Sequence, residues 1–173
     1  MGAYKQRTLE LFRLLDLDRN GYITPSDSEF SALRQQAGAP AALNPEWLIM
    51  GFVKEGDANR DRKVSKEELL AFVEKAMVGK TPDTMPAFVR QLTTEVFALM
   101  DTEKNGQVSK DQFARYLNAY TYSSSGAEEE FTRLDRDGDG NLTVDELQHA
   151  TFAYFTDPET DAPQRWLHAA FAD

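Results

Sequence analysis

The sequence predicts an all-α, compact globule built from four helix–loop–helix units that associate in pairs. The main observation is a twelve-residue pattern that occurs four times in 173 residues, at 16–27, 57–68, 101–112 and 135–146. Each copy has acidic or amide side chains at positions 1, 3 and 5, which places three side-chain oxygens that could bind a metal on alternate residues. Apolar residues flank each copy, so each copy is expected to connect two helices.

Two further observations concern apolar residues in register with this pattern. The residue four places before each copy is apolar, as is typical of the core face of an incoming helix; these residues are Phe12, Val53, Phe97 and Phe131. Position 8 is also apolar, which predicts that the two loops of a pair meet as short β-strands; these residues are Ile23, Val64, Val108 and Leu142. Chance could produce one match, but not four with both features.

The fourth copy is the most complete and identifies the pattern. Its predicted ligands are Asp135, Asp137, Asp139, Asn141 (through its carbonyl) and Glu146. Calcium takes six to eight oxygens at roughly 2.3–2.6 Å, and they converge only if the backbone turns sharply. Gly140 at position 6 permits that turn because it has no Cβ. This is the pattern of an EF-hand calcium loop, and Glu146 at position 12 is expected to close it with both carboxylate oxygens.

The first copy differs from the pattern at its last position. Its predicted ligands are Asp16, Asp18, Asn20, Tyr22 (through its carbonyl) and Asp27. Asp27 is one methylene shorter than glutamate and is expected to give one oxygen. That change favours magnesium or weakens calcium binding.

The second copy keeps its side-chain ligands but lacks glycine at position 6. Its predicted ligands are Asp57, Asn59, Asp61, Lys63 (through its carbonyl) and Glu68. Position 6 is Arg62, for which a positive φ costs roughly 1–2 kcal/mol. We therefore expect a metal site of reduced affinity.

The third copy has lost charge and coordination. Position 3 is Glu103, and position 12 is Gln112, which offers one neutral oxygen. We expect this loop to bind metal weakly or not at all. Its main role would be to pair Val108 with Leu142 and so to brace the fourth loop.

A second interpretation explains part of the pattern without metal. Positions 9 and 12 also spell a helix capping box in Ser65–Glu68, Ser109–Gln112 and Thr143–Glu146. A capping box does not account for the acidic and amide residues at positions 1, 3 and 5.

The remaining elements of the first half follow in order. A helix over 3–15 enters the first loop. Residues 38–44 form a connector, and a helix opened by Pro45 runs to about Gly56. The exit helix of the second loop covers about 66–78.

Two prolines in the segment Gly79–Pro86 make a continuous helix through it unfavourable. Residues 1–79 are therefore expected to form the N-terminal pair and 86–155 the C-terminal pair, with 80–85 as a linker. The last exit helix is expected over about 144–155.

The tail, residues 156–173, carries Trp166, Leu167 and Phe171. Apolar residues of this kind are expected to be buried. The tail either folds back into the groove between the helices of the hands or forms an ordinary terminal helix on the core.

The composition limits the classes of function. The net charge is −10, and the twelve candidate ligand carboxylates leave +2 on the rest of the chain, so the acidity is concentrated in the loops. This balance argues against a nucleic-acid partner. The chain has no cysteine, no apolar signal core and no apolar run of membrane-spanning length. We expect a cytoplasmic monomer that is not an enzyme, since no catalytic constellation accompanies His149 or His168.

The loops, their spacing and the tail together resemble a known family. The loops start 41, 44 and 34 residues apart, and Asp157–Pro163 is followed by Trp166 and Leu167. This is similar to the sarcoplasmic calcium-binding proteins and their bacterial relative calerythrin. The resemblance implies a compact four-EF-hand globule with paired hands, of which one or more is usually degenerate. It also implies buffering or transport of cytosolic calcium.

We expect two or three calcium ions to be bound, with magnesium as the alternative ion in the first loop. Two roles are compatible with such loops. A buffer stays closed around its ions, whereas a sensor opens a groove and regulates a target protein. Sensors often use clustered, flexible methionines, but the methionines here are scattered and aromatic residues are abundant. The sequence therefore favours a buffer and leaves the sensor as the alternative.

Overall fold

The computed structural model describes residues 3–29, 46–120, 126–157 and 165–169. The helices are α1 (Ala3–Leu15), α2 (25–29), α3 (Glu46–Gly56), α4 (Lys66–Ala76), α5 (Ala87–Met100), α6 (Lys110–Tyr120), α7 (Ala127–Leu134), α8 (Val144–Thr156) and α9 (Arg165–Ala169). A short 3-10 helix covers Pro82–Thr84, and the strands are β1 (Val108–Ser109) and β2 (Asn141–Leu142). The predicted all-α class is confirmed.

The helix predictions that can be compared agree closely with these bounds. The exit helix predicted to reach about residue 78 ends at Ala76. The predicted connector 38–44 lies outside the described residues, as do residues 158–163 at the start of the tail and Phe171. Among the described helices, none has the length and apolar character needed to cross a bilayer.

The four loops associate in two pairs through their position-8 residues. Val108 pairs with Leu142 in the antiparallel β1–β2 ladder. Ile23 and Val64 form an isolated antiparallel bridge, and each N–H donates to the other's carbonyl at 2.9 Å. All four side chains are fully buried. The predicted pairing is confirmed, and it fixes each loop against its neighbour.

A single cluster of buried apolar side chains extends through both halves of the chain. Phe12, Phe97 and Phe131 are buried in it as predicted, whereas Val53 is half-buried. The edge of Phe52 in α3 contacts the ring of Phe88 in α5, with ring centroids 4.9 Å apart. The two halves are thus packed together, not separated by a long helix.

The first and last hands are joined by a polar contact at the edge of the core. Arg7 of α1 donates to the carbonyl of Tyr154 at 2.6 Å and to the carbonyl of Asp157 at 2.8 Å. Both acceptors lie at the C-terminal end of α8, where carbonyls lack helical partners and a cation is favourable. On the opposite side, Thr93 of α5 and Thr151 of α8 share a buried hydrogen bond of 3.1 Å.

Helix α9 returns to the core, as the apolar residues of the tail predict. Trp166 is fully buried; its backbone N–H donates to the Glu130 carboxylate at 3.3 Å, and its backbone carbonyl accepts from the Tyr116 hydroxyl at 3.0 Å. Arg165 lies 3.2 Å from the same Glu130 carboxylate. Burial raises the pKa of the Glu130 carboxyl, and the Trp166 hydrogen bond and Arg165 oppose this rise. The short helix is therefore attached through specific contacts as well as through apolar burial.

The buried position of Trp166 predicts a large loss of stability on truncation. Trp166→Ala should lower the free energy of unfolding by about 3–5 kcal/mol, because it removes contacts and leaves a cavity. Trp47→Ala, at a half-buried tryptophan, is the control and should cost about 1 kcal/mol. Urea unfolding measures both, and equal losses would show that α9 is not part of the folded core.

Candidate metal centres

All four loops share an unusual backbone conformation. At position 6, φ is positive in Gly21, Arg62, Gly106 and Gly140. Position 4 also has positive φ, in Arg19, Arg60, Lys104 and Gly138. The strained Arg62 follows the prediction, with φ of +67°. Sequence reasoning missed position 4, because three of its four residues have a Cβ and none suggested a left-handed turn.

The first carboxylate of each loop holds this backbone in place. Position 1 accepts a hydrogen bond from the N–H of position 6 in every loop. The pairs are Asp16–Gly21 at 3.0 Å, Asp57–Arg62 at 2.7 Å, Asp101–Gly106 at 2.8 Å and Asp135–Gly140 at 3.0 Å. An aspartate at position 1 thus turns the chain back on itself.

The last side chain of each loop is held in the same way. Position 12 accepts from the N–H of position 9; the pairs are Asp27–Thr24 at 2.7 Å, Glu68–Ser65 at 2.9 Å, Gln112–Ser109 at 2.8 Å and Glu146–Thr143 at 2.8 Å. In α4 and α8 these contacts are complete capping boxes. The capping and metal interpretations therefore use the same residues and do not exclude each other.

The fourth loop concentrates the most negative charge. Asp135, Asp137 and Asp139 offer oxygens that lie within 4.8 Å of one another. Glu146 is buried and directed back to the loop, since its Oε1 accepts from the N–H of Arg136 at 2.8 Å. Three carboxylates therefore lie close together and Glu146 closes on the same loop, and a hard divalent cation would relieve the repulsion among these groups.

The first loop contains a buried oxygen without a partner. Asp16, Asp18 and Asp27 offer oxygens within 4.8 Å of one another. Asp16 Oδ1 is buried and has no hydrogen-bond partner among the described residues. Burial raises the pKa of the Asp27 carboxyl, and the charge of Asp18 adds to this effect. The unpartnered Asp16 Oδ1 fits the role of a cation ligand, because a buried acceptor without a hydrogen bond is otherwise costly.

The second loop is more open. Among the described residues, three carboxylates come within 4.8 Å of one another only in the first and fourth loops. In the second loop position 3 is the neutral Asn59 and not a carboxylate, and its Oδ1 accepts from the N–H of Asp61 at 2.8 Å. Hydrogen bonds, chiefly from the Ser65 backbone, keep the pKa of the Glu68 carboxyl below its usual value. The Lys63 ammonium lies 5.1 Å from the centre of the Tyr22 ring, so these two side chains contact each other across the loop pair.

The third loop is closed by its own amide. Gln112 is buried, and its Nε2 donates to the Thr102 hydroxyl at 3.1 Å while its Oε1 accepts from the N–H of Ser109. One neutral side chain thus bridges positions 2 and 9 of the loop. Thr102 was not recognised in the sequence, because its hydroxyl matters only when a donor replaces the usual carboxylate.

Comparison with known proteins places this geometry in context. The profile of the EF hand family matches residues 9–27 and 128–152. Calerythrin from Saccharopolyspora erythraea is 24% identical over 151 residues, with 82% of this chain and 85% of calerythrin covered. Mitrocomin from Mitrocoma cellularia is 39% identical over 164 residues, with 88% and 83% covered. The structure of a sarcoplasmic calcium-binding protein from amphioxus aligns with a TM-score of 0.69 at 21% identity, over 95% of this chain and 96% of that one.

The closure of the third loop predicts that one substitution creates a metal site. Gln112→Glu restores a carboxylate at position 12 and should add one bound calcium ion per chain in calorimetry. Gln107→Glu is the control, because it adds the same charge at position 7, which uses its backbone carbonyl. An equal gain from both variants would show that charge alone, and not position 12, limits this loop.

Proposed function

The chain belongs to the EF-hand family of calcium-binding proteins and is related to calerythrin and the sarcoplasmic calcium-binding proteins, and from this premise we propose that it acts as an intracellular calcium buffer. It would bind two or three ions through the first, second and fourth loops. The third loop, closed by Gln112, would serve as a brace for the fourth.

The position of α9 is the observation that carries this proposal. Trp166 is fully buried and Leu167 nearly so, with Trp166 held at Glu130 and Tyr116. Leu167 also lines a small apolar cavity, together with Leu11 of α1 and Phe52 of α3. We call it the central cavity. Tyr116 lies in α6 and Glu130 in α7, so the chain's own helix covers a place between these two helices where a target could otherwise bind. A protein of this kind can take up calcium without exposing an apolar surface.

The methionines support the same proposal. Met77, Met85 and Met100 are buried in the core, and only Met50, among the described methionines, is well exposed. A sensor groove uses several flexible methionines on one surface. The alternative role as a sensor requires α9 to leave its site when calcium binds.

Light emission is not proposed, although mitrocomin is a calcium-regulated photoprotein. The central cavity has a volume of about 10 Å³. Organic ligands of drug size need roughly 300–1,000 Å³. The cavity is close to the size of one water molecule, so an organic chromophore does not fit there.

The fourth loop should bind calcium first. Asp135, Asp137, Asp139 and Glu146 give it four carboxylates, one more than the first or second loop. The β1–β2 ladder would then transmit the ordering of the fourth loop to the third. In the first loop the short, buried Asp27 favours a smaller ion with fewer protein oxygens, so we propose that magnesium occupies this loop when calcium is low.

The experiment that tests the buffer role is a calcium titration by calorimetry, with and without millimolar magnesium, in parallel with Nile red, an uncharged apolar-surface dye. A buffer should bind two or three ions with little change in dye fluorescence, and magnesium should weaken one of the binding steps. A strong calcium-dependent rise in dye fluorescence would replace the buffer with the sensor. No calcium heat at all would contradict both roles.

The proposed order of sites makes a second prediction. Glu146→Gln should weaken the tightest calcium step by about a hundredfold, since it removes one charge and one of two carboxylate oxygens. Asp145→Asn removes the same charge from the neighbouring exposed residue and should leave that step within about twofold. If calorimetry shows the tightest step intact in Glu146→Gln, the fourth loop is not the strongest site.

A further inference from the structure

A groove on the outside of the fourth hand has features that calcium binding does not use. It lies between the C-terminal end of α7, the start of the fourth loop and one side of α8, and Pro82 of the linker helix forms one wall. Its volume is about 400 Å³, within the usual range of small-ligand sites. We call it the α7–α8 groove. It is separate from the small central cavity and from the site of α9.

The floor of the α7–α8 groove is apolar. It is formed by Leu134, Ala150, Phe152 and Ala153, of which Leu134 belongs to the buried core. Phe152 is half-buried and packs against that core. A groove of this shape gives an apolar ligand a rigid surface, since its wall residues belong to helices that the core already fixes.

The rim of the groove carries positive charge on a strongly acidic protein. Arg133 and Arg136 both line it, and both are exposed. Within the described part of the chain, neither guanidinium takes part in a salt bridge, although Arg133 lies close enough to Glu130 to oppose the rise in the pKa of that carboxyl that burial causes. Two such arginines beside an apolar floor complement a ligand with an anionic head and an apolar body.

Two acidic residues, Glu146 and Asp157, also reach the groove. Glu146 reaches it, but its oxygens accept from Arg136 N–H, Thr143 N–H and the Thr143 hydroxyl, each at 2.8 Å. Asp157, at the C-terminal end of α8, contributes a second carboxylate to the lining. A cation in the fourth loop would compensate the charge of Glu146. The two arginines would then face the single carboxylate of Asp157, so the rim would keep a net positive charge.

From this geometry we infer that the α7–α8 groove is a binding site for a small organic anion with an aromatic or other apolar body. We name a small molecule and not a protein partner, because a volume of about 400 Å³ is that of a small-ligand site. The site itself is independent of the proposed function. Its strengthening by calcium rests on the proposed function, since it requires an ion at Glu146.

The test uses 8-anilinonaphthalene-1-sulfonate, an aromatic sulfonate, titrated into the full chain with saturating calcium and followed by fluorescence. The double variant Arg133→Gln/Arg136→Gln should bind the dye about tenfold more weakly. Ala153→Trp, which fills the floor and keeps both arginines, should weaken binding to a similar degree. The matched control Arg115→Gln/Lys75→Gln removes two exposed positive charges away from the groove and should leave dye affinity unchanged. Thermal unfolding and calcium calorimetry check that each variant is folded.

Two results would overturn the inference. Equal dye affinity in all variants would place the dye elsewhere, for example on an opened core, which the uncharged dye would also report. A loss that is as large in the control pair would indicate a general charge effect. A separate titration without calcium tests the coupling: weaker dye binding supports it, and equal binding overturns it even if calorimetry shows that the fourth loop binds calcium.

Discussion

The structure depends on one hydrogen bond that occurs in every loop, from the N–H of position 6 to the aspartate at position 1. This bond holds the chain in its sharp turn in all four loops, and in the fourth loop the oxygens at positions 1, 3 and 5 lie within 4.8 Å of one another. It is strong enough to keep Arg62 at a φ of +67°, where glycine is normally found. Because the acceptor is charged, the bond contributes more than a neutral one would. The loop backbone is thus organised by the same carboxylate that offers an oxygen to the metal.

The loop pairs convert this local geometry into a fold. Once each loop is turned, its position-8 residue points into the core, and the pairs Ile23–Val64 and Val108–Leu142 bring neighbouring hands together. The third loop takes part although Gln112 has replaced the usual carboxylate. Its amide makes the contact that caps α6 and, in addition, binds Thr102. A hand whose closing carboxylate is replaced can therefore still pair with its partner.

The features that could be predicted from the sequence are those that recur at a fixed spacing along the chain. The twelve-residue pattern predicted the four loops, the helices beside them and the pairing of Val108 with Leu142. It did not predict the left-handed residues at position 4, since Arg19, Arg60 and Lys104 have no local preference for that conformation. It suggested that the tail is buried but not where, because Tyr116 and Glu130 contact Trp166 across long separations in sequence. The α7–α8 groove was also missed, since it depends on how Pro82 lies beside α8.

The contact between Arg7 and the end of α8 joins residues 147 positions apart. Contacts between residues so distant along the chain form late in folding, because a long loop of chain must close first. During synthesis, α1 therefore waits until α8 has been made before the Arg7 guanidinium can reach the carbonyls of Tyr154 and Asp157. The fourth loop leaves the ribosome only shortly before these acceptors. The acidic fourth loop and the carbonyls that bind Arg7 are thus synthesised at almost the same time.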